Sequence, residues 1–101
     1  MAATAKQLYI GTPATTGTVY YTVPANTTTI VKNIVLTNIT GSSATITIQV
    51  ANKDVISSYT VNARDTVVID LSLVMTAGQV ITISQGTSNA INVFISGVEV
   101  V

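Results

Sequence analysis

The chain has 101 residues and a mass of 10.5 kDa, one domain's worth, with 48% apolar and only 8% charged residues against roughly 25% charged in an average soluble domain. Four basic and four acidic residues cancel, so no positive field exists to draw nucleic acid or an anionic membrane. The sequence has no Cys and no His, which removes disulfides, thiol nucleophiles, imidazole bases and the usual zinc and haem ligands together.

Of the 101 residues, 45 are β-branched (18 Thr, 15 Val, 12 Ile). Such side chains lose χ1 freedom in a helix and pack well on a pleated surface, so an all-β chain is expected. Gln7-Leu8-Tyr9-Ile10 reads as a first short strand, stopped by Gly11-Thr12-Pro13. Thr18 to Val23 is the second, ended by Pro24, which has no N–H for a ladder. Thr28 to Asn38 is the longest. Alternation puts Ile30, Ile34 and Leu36 on one face and Val31 and Val35 on the other, so both faces want cover. Thr40-Gly41-Ser42-Ser43 is a turn cluster, and Ala44 to Val50 then alternates with Ile46, Ile48 and Val50 inward.

Asn52-Lys53-Asp54 is expected to turn the chain into Val55 to Val61, with Val55, Tyr59 and Val61 on one face. After Asn62-Ala63-Arg64-Asp65, Thr66 to Leu71 aligns Val67, Ile69 and Leu71, and Leu73-Val74-Met75 either extends that strand or starts another. Thr76-Ala77-Gly78 turns into Val80 to Gln85, and Gly86-Thr87-Ser88-Asn89 turns into a last strand from Ile91 towards Val101. Gly97 inside that strand predicts a bulge or a close backbone approach. About eight short strands with regularly spaced turns predict a single antiparallel β-sandwich of jelly-roll type over residues 7–101, with Met1 to Lys6 as an arm. The expected core is Ile34, Leu36, Ile46, Ile48, Ile69, Ile81, Ile83, Val93 and Ile95.

No membrane association is expected. Met1 to Thr18 lacks the basic start and unbroken apolar stretch of a signal peptide, and no apolar run approaches the ~20 residues of a membrane helix. A mean hydropathy of +0.58 would suit an outer-membrane barrel, but 5% aromatics supply no girdle.

Chemistry is sparse. The carboxylates Asp54, Asp65, Asp70 and Glu99 are scattered, and Asp65 and Asp70, five apart, face opposite sides of a continuous strand. No loop gathers the several carboxylates a hard cation needs, and no metal or cofactor is expected. Hydroxyls abound, but Lys6, Lys32 and Lys53 are the only bases to activate one, and no motif supports it. The chain therefore reads as a non-enzyme. Asn26-Thr27-Thr28 and Asn38-Ile39-Thr40 match the glycosylation pattern, at the frequency that this Ser/Thr content produces by chance. Tyr9, Tyr20, Tyr21 and Tyr59 are the candidate contact residues of an assembly interface or a glycan-stacking surface. Tyr20 and Tyr21, being adjacent, should face opposite sides, so at most one enters the core.

Few charges guard these strands, and uncharged, Pro-free segments such as Ala44 to Val50 associate when exposed. A homo-oligomer within a larger assembly is expected. The stretches from Leu8 to Val50 and from Met75 to Val100 carry a "YTVPA" segment, a long "IVKNIVLTN" strand and a closing "ISGVE" strand. In these the chain resembles small structural proteins of tailed bacteriophages. The resemblance implies a virion component assembled in the host cytoplasm: a capsid decoration (cement) protein, a head fibre or a tail accessory. It further implies a trimer, with the major capsid protein or another virion protein as partner. It carries no catalytic residues. The alternative is a tail, fibre or surface module that binds a carbohydrate or receptor.

Overall fold

The computed structural model describes residues 2–101, and over them the chain is all strand and turn. The elements are β1 (Ala3–Gly11), β2 (Thr18–Thr22), β3 (Thr28–Asn38), β4 (Ala44–Val50), β5 (Lys53–Val61), β6 (Thr66–Met75), β7 (Val80–Gln85) and β8 (Ile91–Val100). They form two four-stranded antiparallel sheets, β1-β8-β3-β6 and β2-β7-β4-β5. The order has a simple origin. β1 pairs with β8, β2 with β7, β3 with β6 and β4 with β5, so the chain is one long ribbon doubled back on itself. The ribbon turns at Ala51–Asn52, then rolls over so that β8 also pairs with β3 and β7 with β4. Those are the connections of a jelly roll, the sandwich expected from the sequence.

The tip of the ribbon is a two-residue loop between the paired Val50 and Lys53, with φ of 51° at Ala51 and 64° at Asn52. Two positive φ values make the turn type whose twist matches the flanking strands. The turn therefore lies one residue earlier than Asn52-Lys53-Asp54, and β5 begins at Lys53. Leu73–Met75 continues β6.

The inward faces supply one core in which Leu36, Ile46, Ile48, Ile81, Ile83, Ile91, Val93 and Ile95 are sealed from solvent. Ile34 joins them, whereas Ile69 is only half-buried because β6 is a sheet edge. Among the described residues, no buried side-chain nitrogen or oxygen is left without a hydrogen-bond partner. Asn38 lies in it, with Nδ2 donating to the carbonyls of Ser42 (2.8 Å) and Val61 (3.0 Å) and Oδ1 accepting from the Thr40 N–H and hydroxyl. Gln85 does the same elsewhere: its amide donates to the Pro13 carbonyl and its Oε1 accepts from the Ile91 N–H at 2.9 Å.

Three face assignments from simple alternation are overturned, each by a bulge. The β3 register shifts between Val31 and Asn33, so Val31 joins Ile34 and Leu36 inside while Ile30 and Val35 face out. On β5 two residues, Ser57 and Ser58, oppose one on β4. Ile56 and Val61 are buried, and Val55 is exposed rather than aligned with Val61. On β2 a shift between Val19 and Tyr21 lets Tyr20 and Tyr21 both pack against the core. An extra residue inverts the parity of everything beyond it, and nothing in a local pattern announces it.

The expected arm at residues 1–6 is also corrected over its described part. Ala3 to Lys6 are strand, paired with Val100 to Gly97, and Ala2 and Val101 exchange backbone hydrogen bonds of 3.0 and 2.9 Å. Their side chains are exposed, so backbone pairing rather than burial holds them, which is why no apolar alternation marks the segment. Met1 lies outside the described residues. Gly97 meets the expected close approach: a Cβ there would collide with the Ile30 carbonyl oxygen and stand 3.0 Å from Leu8 Cδ1. Among the described residues, no helix is long and apolar enough to cross a membrane.

Candidate functional site

The four candidate tyrosines separate into two environments. Tyr9 on β1 and Tyr20 on β2 bring their rings together across the gap between the two sheets, with centroids 4.6 Å apart and planes tilted by 41°. The Tyr20 hydroxyl accepts the Ala14 N–H at 2.7 Å. Burial, then the neighbouring Tyr20, push the Tyr9 hydroxyl above its ordinary pKa.

Tyr21 makes the second weld. It donates to Glu99 Oε2 at 2.6 Å, so its one proton is spent and the Thr29 hydroxyl, 2.7 Å away, donates to it. Lys6 Nζ lies 3.6 Å from the other Glu99 oxygen. Burial first, and the bond to Glu99 second, push the Tyr21 pKa up to about 12. These groups tie β2 in one sheet to β1, β3 and β8 in the other. Tyr9, Tyr20 and Tyr21 thus pack against their own core, while Tyr59 on the edge strand β5 is exposed.

The carboxylates do not converge. Asp54 accepts from Gln49 Nε2 at 2.8 Å, and that bond, with one from Ser57, holds its carboxyl below the usual range. Asp65 accepts from the Thr66 N–H at 3.0 Å, and Asp70 lies outward on β6. Among the described residues there is no cavity and no group of three or more acidic side chains that could hold a metal ion.

What distinguishes the surface is an asymmetry between the two outer faces. On the β2-β7-β4-β5 sheet, the central strands β4 and β7 turn Thr45, Thr47, Gln49, Thr82 and Ser84 outward, and the exposed apolar residues Val19 and Val55 stand apart on the two edge strands. On the β1-β8-β3-β6 sheet, register lines apolar side chains into rows that cross all four strands. Ile10, Phe94, Val35 and Val68 make one row. Ala5, Val98, Ile30 and Val74 make another. Between them runs a polar row of Gln7, Ser96, Asn33 and Asp70. Ile10 is 52% exposed, Val68 59% and Val74 60%, so these rows meet water in the isolated chain.

These rows are what the sequence reading missed. It registered apolar residues on both sides of Thr28 to Asn38, but a row exists only once strands distant in sequence are paired in register. No protein-family model matches the chain, and no curated protein is significantly similar to it in sequence.

Proposed function

We propose that this is a non-enzymatic structural protein of a virion, most simply a capsid decoration (cement) protein that strengthens a shell by adhesion in many copies. The observation that carries the proposal is the outer face of the β1-β8-β3-β6 sheet, where two apolar rows cross all four strands, whereas the central strands of the other sheet turn hydroxyl and amide side chains outward. A decoration protein needs rigidity, contact area and repetition. The jelly roll supplies a rigid body, its buried side-chain polar groups are consumed in internal bonds, and the apolar rows supply contact area between subunits. Individually weak contacts become firm when neighbouring copies bind together. Jelly rolls recur in viral capsid domains and also in lectins, so the fold agrees with the reading by analogy only.

The partners in this reading are further copies of the chain and the major capsid protein or another virion protein. Its site of action is the particle, assembled in the host cytoplasm. A glycan- or receptor-binding module would use exposed aromatics. Here three of the four tyrosines lie against the core, which favours the structural reading over that one. The test is a quantitative gel of purified particles. A fixed, high copy number relative to the major capsid protein supports the proposal, and absence of the chain from particles sinks it.

A further inference from the structure

The two apolar rows need an occupant, and we infer that it is the same face of a second copy. The pair is related by a two-fold axis running along the strands between β8 and β3. The inference does not rest on the particle reading, since such a pair would form whatever the protein's origin.

Size permits it. Four strands ~4.8 Å apart and about ten residues long at ~3.4 Å each give a face of about 600 Å², or ~1,200 Å² for the pair, above the ~1,000 Å² a specific interface needs. Being near that lower limit, the pair should dissociate reversibly rather than be permanent.

Chemistry selects the copy and the axis. A rotation about an axis along the strands exchanges β8 with β3 and β1 with β6 while keeping each row opposite itself. Phe94 then meets Val35 of the other copy, Ile10 meets Val68, and the smaller Ala5 meets Val74. The polar row falls on the polar row, with the Gln7 amide over Asp70. Lys32 and Asp70, the charges on this face, meet no like charge; Lys32 already donates to Ser72 Oγ at 3.2 Å. A two-fold axis along the polar row would instead set Asp70 on Asp70 and bring Lys32 beside Lys32, which opposes association. Both sheets keep the aligned packing that twisted sheets prefer. Asp70 lies on an edge strand, at the wet rim, where a charge need not be stripped of water. This pairing replaces the trimer implied by the phage resemblance, because an isologous face closes after two copies.

Light scattering on the purified full chain, from micromolar to submillimolar concentration, decides the matter. The expected result is a reversible rise to twice the chain mass. Val68→Asp and, separately, Val74→Asp should weaken the pair by roughly tenfold or more, with circular dichroism and melting confirming that each remains folded. Thr82→Asp, on the other face, should leave the pair intact. Gln7→Lys tests the axis: it sets a cation over Asp70 of the other copy and should tighten association several-fold, whereas an axis along the rows would set lysine on lysine and weaken it. A monomer at every concentration, a trimer, a pair indifferent to both valine substitutions, or a Gln7→Lys chain that associates less well would overturn the inference. A monomer that nevertheless coats particles through these rows would also overturn it, by making the shell the occupant, and would leave the decoration reading standing.

Discussion

Asn38 is the buried residue whose removal should be felt most for its size. It is 1% exposed, and its four hydrogen bonds join the end of β3 to the β3–β4 turn and to the last residue of β5. In Asn38→Ala, Thr40 and Ser42 can turn to water, because one is half-buried and the other exposed. The Val61 carbonyl, on a fully buried residue, cannot. Losing a partner there costs about 1–3 kcal/mol, and the remaining bonds and the small cavity add about 1 kcal/mol more, for a total near 3 kcal/mol. In a domain of this size that lowers Tm by roughly 15 °C. Asn38→Asp sharpens the test. It keeps the shape but loses both donations and aims a carboxylate at two carbonyls, so at neutral pH it should cost at least as much as Asn38→Ala. Protonation restores a donor. The introduced carboxyl therefore has a folded pKa above its unfolded one, and the deficit should shrink as pH falls through the carboxylate range. Urea melts of both variants at pH 7 and pH 4 measure this. A loss below ~1 kcal/mol for Asn38→Ala, or an Asn38→Asp deficit that does not shrink in acid, would refute the reasoning.

Other predictions concern the interior and the welds. Ile48→Asp puts a charge at a position 1% exposed and should abolish folding, seen as loss of the β-sheet circular-dichroism signal; a folded variant would contradict the core described here. Gly97→Ala drives a methyl group into the Ile30 carbonyl and should destabilise by about 1–3 kcal/mol in a urea melt, with Gly41→Ala, at an open position, as the near-neutral control. Tyr21 has a folded pKa of about 12 against an ordinary 10.0, so its contribution is complete below pH 10 and is lost as pH rises towards 12. Tyr21→Phe should be less stable at neutral pH and lose less stability across that alkaline window, with Tyr9 supplying a residual slope of the same sign.

Where the chain alternates cleanly between turn signals, the strands could be read to the residue. Thr28–Asn38, Ala44–Val50 and Val80–Gln85 have the bounds expected from the sequence. Ala44–Val50 and Val80–Gln85 also keep one face throughout, since neither contains the extra residue of a bulge. At Lys32, Tyr20 and Ser57-Ser58 the strand takes in an extra residue, at Ser58 with its N–H donated to the Thr47 hydroxyl at 2.9 Å, and the side chains beyond it change sides without changing the pattern. Ala3 to Lys6 were illegible for a related reason: a strand held by its backbone leaves no apolar periodicity.

The candidate surface was half legible. The scarcity of charge and the two-sided apolar character of β3 point to burial against a partner, and tyrosines, as large amphipathic residues, are the side chains that a sequence offers first for such a contact. Three of them close the gap between the sheets. The exposed apolar residues Ile10, Val68 and Phe94 are far apart in sequence. They become a row through β1–β8, β8–β3 and β3–β6 pairing, which is a property of topology.

The central claim is adhesion in many copies to a viral shell, and reconstitution tests it most directly. Purified protein is mixed with undecorated heads, and bound copies and the temperature at which the heads burst are measured together. Saturable binding at a fixed ratio, with heads that survive higher temperatures, is the predicted result. Binding confined to tail tips or host glycans, with heads gaining neither copies nor heat resistance, would contradict it.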